Sequence, residues 1–323
     1  MKKVFVAGHA GMVGSAVCRR LGHGHAQSGS YSVLTASRSQ LNLLDQASVD
    51  QWFAQTKPEL VVIAAARVGG IHANNAYPAD FIYENIQIQS NIIYSAWKHD
   101  VERLVFLGSS CIYPKFAAQP ITESALLGGE LEATNEPYAI AKISGIKMCE
   151  SFNRQYGTDF RSLMPTNLYG PGDNFHPLES HVFAALLARF EEARRLGARE
   201  VEVWGTGRPR REFMHVDDLA DAIVHVLGLP REVYETAVEP MQSHLNVGTG
   251  KDVSIAELAD LFAKATGYSG VVRFDATRPD GTPRKLLDVS AMKALGWGAK
   301  ISLQEGIDST LKWYRDHREA IRS

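Results

Sequence analysis

The sequence predicts an α/β fold built on a doubly wound parallel sheet, with a smaller α/β unit toward the C-terminus. Three observations predict it. Short apolar runs alternate with helix-length amphipathic segments over the first two-thirds of the chain, and strands apolar on both faces belong to parallel sheets covered on both sides. A glycine-rich turn joins the first such run to the first helical segment. After Pro165 turn-forming residues take over and the elements become less regular.

The elements follow in order. Lys3–Ala7 is a continuous apolar run and opens the sheet, and Met12–Leu21 has helical period. Ser32–Ala36 is the second strand, Gln46–Gln55 a helix, and Leu60–Ala64 a strand rich in β-branched residues. Ile82–Trp97 carries apolar residues at helical spacing and precedes the strand Leu104–Leu107. Tyr138–Tyr156 is a helix with Pro137 suited to its first turn, and Phe160–Met164 is the next strand. Thr166–His176 collects Asn, Gly, Pro and Asp and is expected to be a long functional loop. A helix over His181–Leu196, a strand over Val201–Trp204 and a basic loop over Gly205–Arg211 come next. A helix begins near Asp217, and Leu245–Gly248 returns to the sheet.

Composition excludes several classes. The chain has 323 residues, with 34 Lys+Arg against 36 Asp+Glu and a formal net charge of −2. That balance does not suit a protein that binds nucleic acid through a basic surface, so no nucleic-acid partner is expected. Three cysteines, Cys18, Cys111 and Cys149, are too few and too scattered for a disulfide framework or a zinc ligand set. The start, MKKVFVAGHAGMVGSAVC, resembles a signal peptide until His9 and its spaced glycines are noticed. No run approaches a membrane span. A soluble, cytoplasmic protein with no membrane partner and no metal is expected.

Gly8-His-Ala-Gly11-Met-Val-Gly14 sits between the first strand and the first helix. Glycines there let the backbone approach a pyrophosphate, whose charge is favoured by the free N–H groups at the helix start. A merely structural turn is the plainer alternative, but the position points to the dinucleotide turn of a Rossmann sheet. An NAD enzyme would carry an acid at the end of the second strand. This chain reads Thr35-Ala36-Ser37-Arg38 instead. Arg38 can pair with a 2′-phosphate, which favours NADP(H) over NAD.

Tyr138-Ala-Ile-Ala-Lys142 sets a phenol and an ammonium on one helix face. The ammonium is expected to lower the phenol's pKa, so that Tyr138 exchanges a proton with a carbonyl or alcohol. Ser109 and Ser110 follow the strand Leu104–Leu107, at the edge where such sheets bind ligands. A hydroxyl there can hold the reacting oxygen. The spacing recurs in Tyr94-Ser-Ala-Trp-Lys98, which precedes the serine strand and reads as packing plus a surface lysine. Sequence order selects Tyr138.

With these residues in place the chain resembles the extended short-chain dehydrogenase/reductase superfamily and, within it, the GDP-L-fucose synthase family. The match runs through Leu107-Gly-Ser-Ser-Cys-Ile-Tyr-Pro114, Asn135-Glu-Pro-Tyr-Ala-Ile-Ala-Lys142 and Pro165-Thr-Asn-Leu-Tyr-Gly-Pro171. It continues through Asn174-Phe-His-Pro177, Arg211-Glu-Phe-Met-His-Val-Asp-Asp218 and Pro279-Asp-Gly-Thr-Pro-Arg-Lys-Leu-Leu-Asp288. The resemblance implies conversion of GDP-4-keto-6-deoxy-D-mannose to GDP-L-fucose, by epimerisation at C3 and C5 and NADPH reduction at C4. It implies Ser109, Tyr138 and Lys142 as the reductase set, Cys111 as the base and His181 as the acid of the epimerisation. For cofactor binding it adds Met12, Val13, Asn42, Leu43, Leu107, Gly108, Pro165, Asn167, Leu168 and His181. For substrate it implies Arg189, Trp204, Arg211, Asp280 and Lys285.

A 4-keto group acidifies the hydrogens on both neighbouring carbons, because the carbanion delocalises as an enolate. Cys111 lies two residues past Ser109 and can remove such a proton if a neighbouring cation favours its thiolate. A buried inert thiol is the commoner fate of a cysteine and suits Cys18 and Cys149. Among 11 histidines, His181 is selected over His176 by the resemblance alone. Related dehydratases carry an acidic pair after the strand-end hydroxyl residue, and Ser110-Cys111 offers neither acid, which disfavours dehydration.

Arg208, Arg210 and Arg211 gather in one loop, where arginine forks suit a diphosphate, although a solvated basic loop is a fair alternative for the first two. The family often has a basic residue where this chain has Ala10, which leaves more of the 2′-phosphate to Arg38. The expected division is a dinucleotide-binding unit over 1–172 and 213–249, and a nucleotide-sugar unit over 173–212 and 250–323. The resemblance also implies a homodimer, through the apolar helices Ile82–Trp97 and Ile140–Phe152. The rival readings are a 4-reductase or 4-epimerase of another nucleotide sugar, and a non-enzymatic NADP sensor. Sensors of that kind commonly lose the Tyr/Lys pair, which is intact here.

Overall fold

A computed structural model describes residues 1–22, 31–176, 180–278 and 280–322, so that Pro177 and Pro279 of the quoted segments lie outside the described residues. The first half of the chain forms β1 (Lys2–Ala7), α1 (Met12–Gly22), β2 (Tyr31–Leu34), α2 (Gln46–Thr56), β3 (Leu60–Ile63), α3 (Ile71–Ala76), α4 (Pro78–Lys98) and β4 (Arg103–Leu107). It continues with α5 (Glu136–Tyr156), β5 (Phe160–Pro165), β6 (Asn167–Tyr169), α6 (Val182–Leu196), β7 (Glu200–Trp204), β8 (Arg210–His215) and α7 (Val216–Gly228). The remainder is α8 (Arg231–Glu235), β9 (His244–Val247), β10 (Asp252–Ser254), α9 (Ile255–Thr266), β11 (Val271–Asp275), β12 (Arg284–Lys285), α10 (Ser290–Ala294) and α11 (Leu303–Arg322).

The main sheet has six strands in the order β2-β1-β3-β4-β5-β9. All its pairings are parallel, as the expected class requires. β1, β3, β4, β5 and β9 are almost wholly buried because both faces are covered. On one face Val4, Val62, Val105 and Leu163 pack with Ala16 and Val17 of α1 and Leu219, Ile223 and Val226 of α7. On the other, Phe5, Val61, Leu104 and Phe106 pack with Phe53 of α2, Ile92 and Ile93 of α4 and Ile146 of α5. A third core joins Phe183, Leu187 and Phe190 of α6 to Leu258 and Phe262 of α9 and Ile307 and Leu311 of α11. Smaller sheets accompany it: β8 pairs with β10, β12 and β6, and β7 pairs with β11.

Three expectations are corrected. The helix expected at Ile82 starts at Pro78, which occupies its first turn where no intrahelical N–H is needed. The loop expected over Thr166–His176 contains β6, whose Tyr169 is buried and stacks on Phe183 at 3.9 Å. The basic loop ends early: Arg210 and Arg211 lie on β8, and Arg210 is held by Asp252 at 2.8 Å and Glu257 at 3.2 Å. Among the described residues no helix is long and apolar enough to cross a membrane.

Candidate active site

The glycine turn leaves the carboxyl end of β1 and enters α1. Gly8 has φ +86°, and a Cβ on Gly14 would lie 2.1 Å from the Gly8 carbonyl oxygen, so both positions require glycine. Gly11 differs, since a Cβ there would meet Gly8 O at an ordinary 3.5 Å. Packing does not demand glycine at Gly11, whereas a pyrophosphate lying against the backbone would. The N–H groups of Met12, Val13 and Gly14, in the first turn of α1, have no carbonyl of their own helix to bond. Arg38 is exposed just beyond β2. Asn42 and Leu43 follow, and the Leu43 carbonyl accepts the Asn91 side chain at 2.9 Å.

β4 leads into the residues expected to react. Leu107 ends the strand, and a Cβ on Gly108 would lie 2.3 Å from Met164 Sδ, so that side chain would have to move aside. Ser109 caps a short 3₁₀ turn over Ser110–Ile112, its Oγ accepting the Cys111 N–H at 3.4 Å. From α5, Lys142 is buried, donates to the Leu107 carbonyl at 2.9 Å and stands 5.0 Å from the Phe106 ring centre. The same ammonium is 5.8 Å from the Tyr138 ring centre, whose other neighbour is the edge-on Phe81 ring at 6.2 Å. Pro165 ends β5, and Asn167 and Leu168 open β6, the Asn167 amide donating to Glu212 O at 2.8 Å.

Electrostatics corrects one expectation. Burial pushes the Tyr138 phenol well up and pushes Lys142 down, to about 8. The expected lowering of the phenol by Lys142 is therefore not found: burial dominates, and the Cys111 charge adds to it. Burial also pushes the Cys111 thiol up, against the pull of Lys285, the Ser109 hydroxyl and Lys142. The neighbouring cations expected for Cys111 are therefore present, but they do not outweigh its desolvation. His181, the N-cap of α6, makes no capping bond, and burial followed by the Lys285 charge holds its pKa down. Tyr138, His181 and Lys285 are hemmed in by protein yet keep solvent access, as residues of a cleft do.

The expected substrate residues come from α6, β7, β8, β12 and the segment before β12. Arg189 donates to Glu202 O at 2.6 Å and lies 5.8 Å from the ring centre of Trp204, which is 53% exposed. Arg211 donates to its neighbour's carbonyl, Arg210 O, at 2.8 Å, and the Asp280 charge acts on it. Asp280 accepts the Thr206 N–H at 2.8 Å and hydroxyl at 2.7 Å, which ties the loop after β7 to the segment before β12. Lys285 pairs in register with Arg211 across β12 and β8.

A model of the NAD dependent epimerase/dehydratase family matches residues 4–248. GDP-L-fucose synthase of Escherichia coli (strain K12) is 58% identical over 321 residues, covering 99% of both chains. The chain belongs to the GDP-L-fucose synthase family. GDP-L-fucose synthase 1 of Arabidopsis thaliana is 55% identical, over 97% of this chain and 93% of the relative. Among solved structures, the GDP-mannoheptose C4 reductase of Campylobacter jejuni with NADP bound superposes with a TM-score of 0.86. It is 36% identical and covers 97% of this chain and 98% of the other. The glycine turn and Arg38 described above suit this dinucleotide: the first offers a backbone cradle for the pyrophosphate, the second a guanidinium for a 2′-phosphate.

Sequence reasoning passed over Asn135. It stands at the N-cap of α5 without capping it, and its buried Oδ1 has no hydrogen-bond partner. A residue type that ordinarily caps is here left with an open acceptor three residues before Tyr138, and sequence gives no sign that an N-cap Asn is idle. Asp173 was also missed: burial raises its carboxyl to about 7, with one oxygen unpartnered.

Proposed function

We propose that this protein converts GDP-4-dehydro-6-deoxy-D-mannose to GDP-L-fucose, by epimerising C3 and C5 and then reducing the 4-keto group with NADPH. The observation that carries the reading is the company kept by Ser109, Tyr138 and Lys142. Cys111 and His181, groups able to move carbon-bound protons, share one lysine neighbour beside a complete ketone-reducing set. A plain ketoreductase needs only that set.

NADPH supplies the hydride that reaches C4. Ser109 and Tyr138 hold the ketone oxygen, so negative charge gathering there during enolisation is met by two hydroxyl donors. The Cys111 thiolate takes the proton from the carbon beside the ketone, and the electron pair passes into the enolate. His181, kept neutral and in contact with solvent, donates its N–H on the opposite side while its second nitrogen is reprotonated from water. Tyr138 then gives its proton to the oxygen at C4. Arg189, Arg211 and Lys285 bear on the diphosphate, with Trp204 and Asp280 toward the nucleoside.

The third core supports assigning 173–212 and 250–323 to the nucleotide-sugar unit, against a dinucleotide unit of 1–172 and 213–249. We further assign a homodimer formed through α4 and α5, and a cytoplasmic site of action that suits the three free cysteines. The deciding experiment is incubation with GDP-4-dehydro-6-deoxymannose and NADPH in D2O. Deuterium at C3 and C5 of the product, with NADPH oxidised, is expected. NADPH oxidation without deuterium at those carbons would reduce the protein to a 4-reductase.

A further inference from the structure

Glu212 is a fully buried carboxylate on which several stretches of chain converge. Its Oε1 accepts the Thr249 N–H at 2.6 Å and the Gly250 N–H at 2.7 Å, and its Oε2 accepts the Leu287 N–H at 3.0 Å. Its main-chain carbonyl accepts the Asn167 amide at 2.8 Å and the Thr166 hydroxyl at 3.3 Å. The chain passes between the two proposed units after Glu212 and again after Thr249, so one side chain fastens both crossings. Converging N–H groups call for a group that only accepts, and an ionised carboxyl offers two such oxygens. Gly248 leaves room for it: a Cβ there would lie 2.4 Å from Glu212 Oε1, which its donors hold in place.

Two of the expected substrate residues hang on these ties. Arg211 immediately precedes Glu212 on β8. Lys285 stands opposite Arg211 in the parallel register of β12 with β8, two residues before Leu287. The carboxylate thus joins three things: β8, which carries it, β12 through Leu287, and the end of the main sheet through Thr249 and Gly250. We propose that Glu212 is a positioning residue for the substrate: its carboxylate fixes β8 and β12 against the main sheet and so sets Arg211 and Lys285 where the diphosphate of the nucleotide sugar lies. The inference rests on the assignment of those two cations to the diphosphate given above. Asn167 and Thr166, on the cofactor side, are bound by the carbonyl, which every side-chain variant keeps. Dinucleotide binding is therefore not expected to depend on the carboxylate.

The test measures two affinities on the full-length protein by calorimetry, with GDP and NADPH as separate probes. Glu212→Gln keeps the shape but turns an NH2 toward an N–H, so one tie is lost. GDP is expected to bind this variant at least about tenfold more weakly, the scale on which misplaced groups act, while NADPH stays within about twofold of the parent. Loss of a negative charge alone would favour an anionic ligand, so weaker GDP binding reads position and not charge. Gly248→Ala pushes the carboxylate off its donors without removing it and is expected to weaken GDP in the same sense. It carries the comparison should Glu212→Gln fail to give a cooperative urea transition. A folded variant that binds GDP with the parent's affinity overturns the proposal. So does one in which GDP and NADPH weaken together, the mark of a merely structural tie. Arg211→Gln separates the underlying reading. Parental GDP affinity in that variant would overturn the diphosphate assignment itself, whereas a weakened Arg211→Gln beside an unaffected Glu212→Gln overturns only the role of Glu212.

Discussion

A donor that must protonate a nascent alkoxide has to keep its proton until hydride arrives, and burial gives Tyr138 that property. An easily ionised phenol would suit the reverse task, removing a proton from an alcohol. Tyr138→Phe should therefore lower NADPH oxidation by roughly a hundredfold or more, the usual contribution of a positioned acid. Ser109 remains to polarise the ketone, so deuterium exchange at C3 and C5 should persist in that variant at a reduced rate. Single-turnover NADPH absorbance together with product mass spectrometry checks both, and a loss of less than about tenfold in reduction would remove Tyr138 as the acid. The Tyr-x-x-x-Lys spacing made this residue legible, and chain order separated it from the other copy. Tyr94 in that copy packs 5.4 Å from Trp97, and Lys98 pairs with Asp50 at 2.9 Å. The protonation state was not legible. Spacing places an ammonium near a phenol, but whether attraction or desolvation prevails depends on the burial that two other parts of the chain impose, Phe81 on α4 and Phe106 with the Leu107 carbonyl on β4.

Among the elements, α4 and α5 carry the proposed dimer. They pack against each other, joined by Gln89, whose amide donates to Ala141 O at 2.6 Å and to Ser144 Oγ at 2.9 Å. Their outer side keeps Tyr83, Tyr94, Ile140 and Tyr156 exposed, and Trp97 bridges the two helices through Tyr156 at 4.5 Å and Phe152 at 5.6 Å. An aromatic surface of that kind is costly to leave in water and suits a second copy of the same helix pair. Light scattering should give twice the chain mass for the parent, and Tyr83→Glu combined with Tyr94→Glu should give a single chain that still binds NADPH. A monomeric parent would exclude the dimer. The central strands β1, β3 and β4 were legible as apolar runs, and the ends of the main strands moved by only a residue or two. β6 and β8 were harder to see, since their pattern is interrupted by polar residues: Asn167 donates to Glu212 O, Arg210 pairs with Asp252, and Arg211 is the arginine proposed for the diphosphate.

At the scale of the molecule, buried polar groups tie the sheet to its surroundings, and they set its response to acid. Glu212 accepts the N–H groups of Thr249, Gly250 and Leu287 at 2.6, 2.7 and 3.0 Å, binding the turn after β9 and the start of the α10 segment to β8. His244, on the last strand of the main sheet, is 1% exposed, and neither ring nitrogen has a hydrogen-bond partner. Burial, then the Lys147 charge, pushes its pKa down to about 4 from an ordinary value of 6.5. A histidine with a depressed native pKa is neutral in the folded chain and protonated in the unfolded one between those two values. The unfolded state then binds more protons, so stability falls as pH drops from about 6.5 toward about 4, by up to roughly 3 kcal/mol for this residue, and is unaffected above neutrality. Glu123, Glu212 and Asp218 have raised carboxyl values and work in the opposite direction, so the parent's total slope mixes both signs. The difference between parent and His244→Gln isolates the imidazole. Urea denaturation at neutral pH and near pH 5 should show the variant losing less stability on acidification than the parent, and equal losses would mean that His244 finds a proton-accepting partner in the folded state.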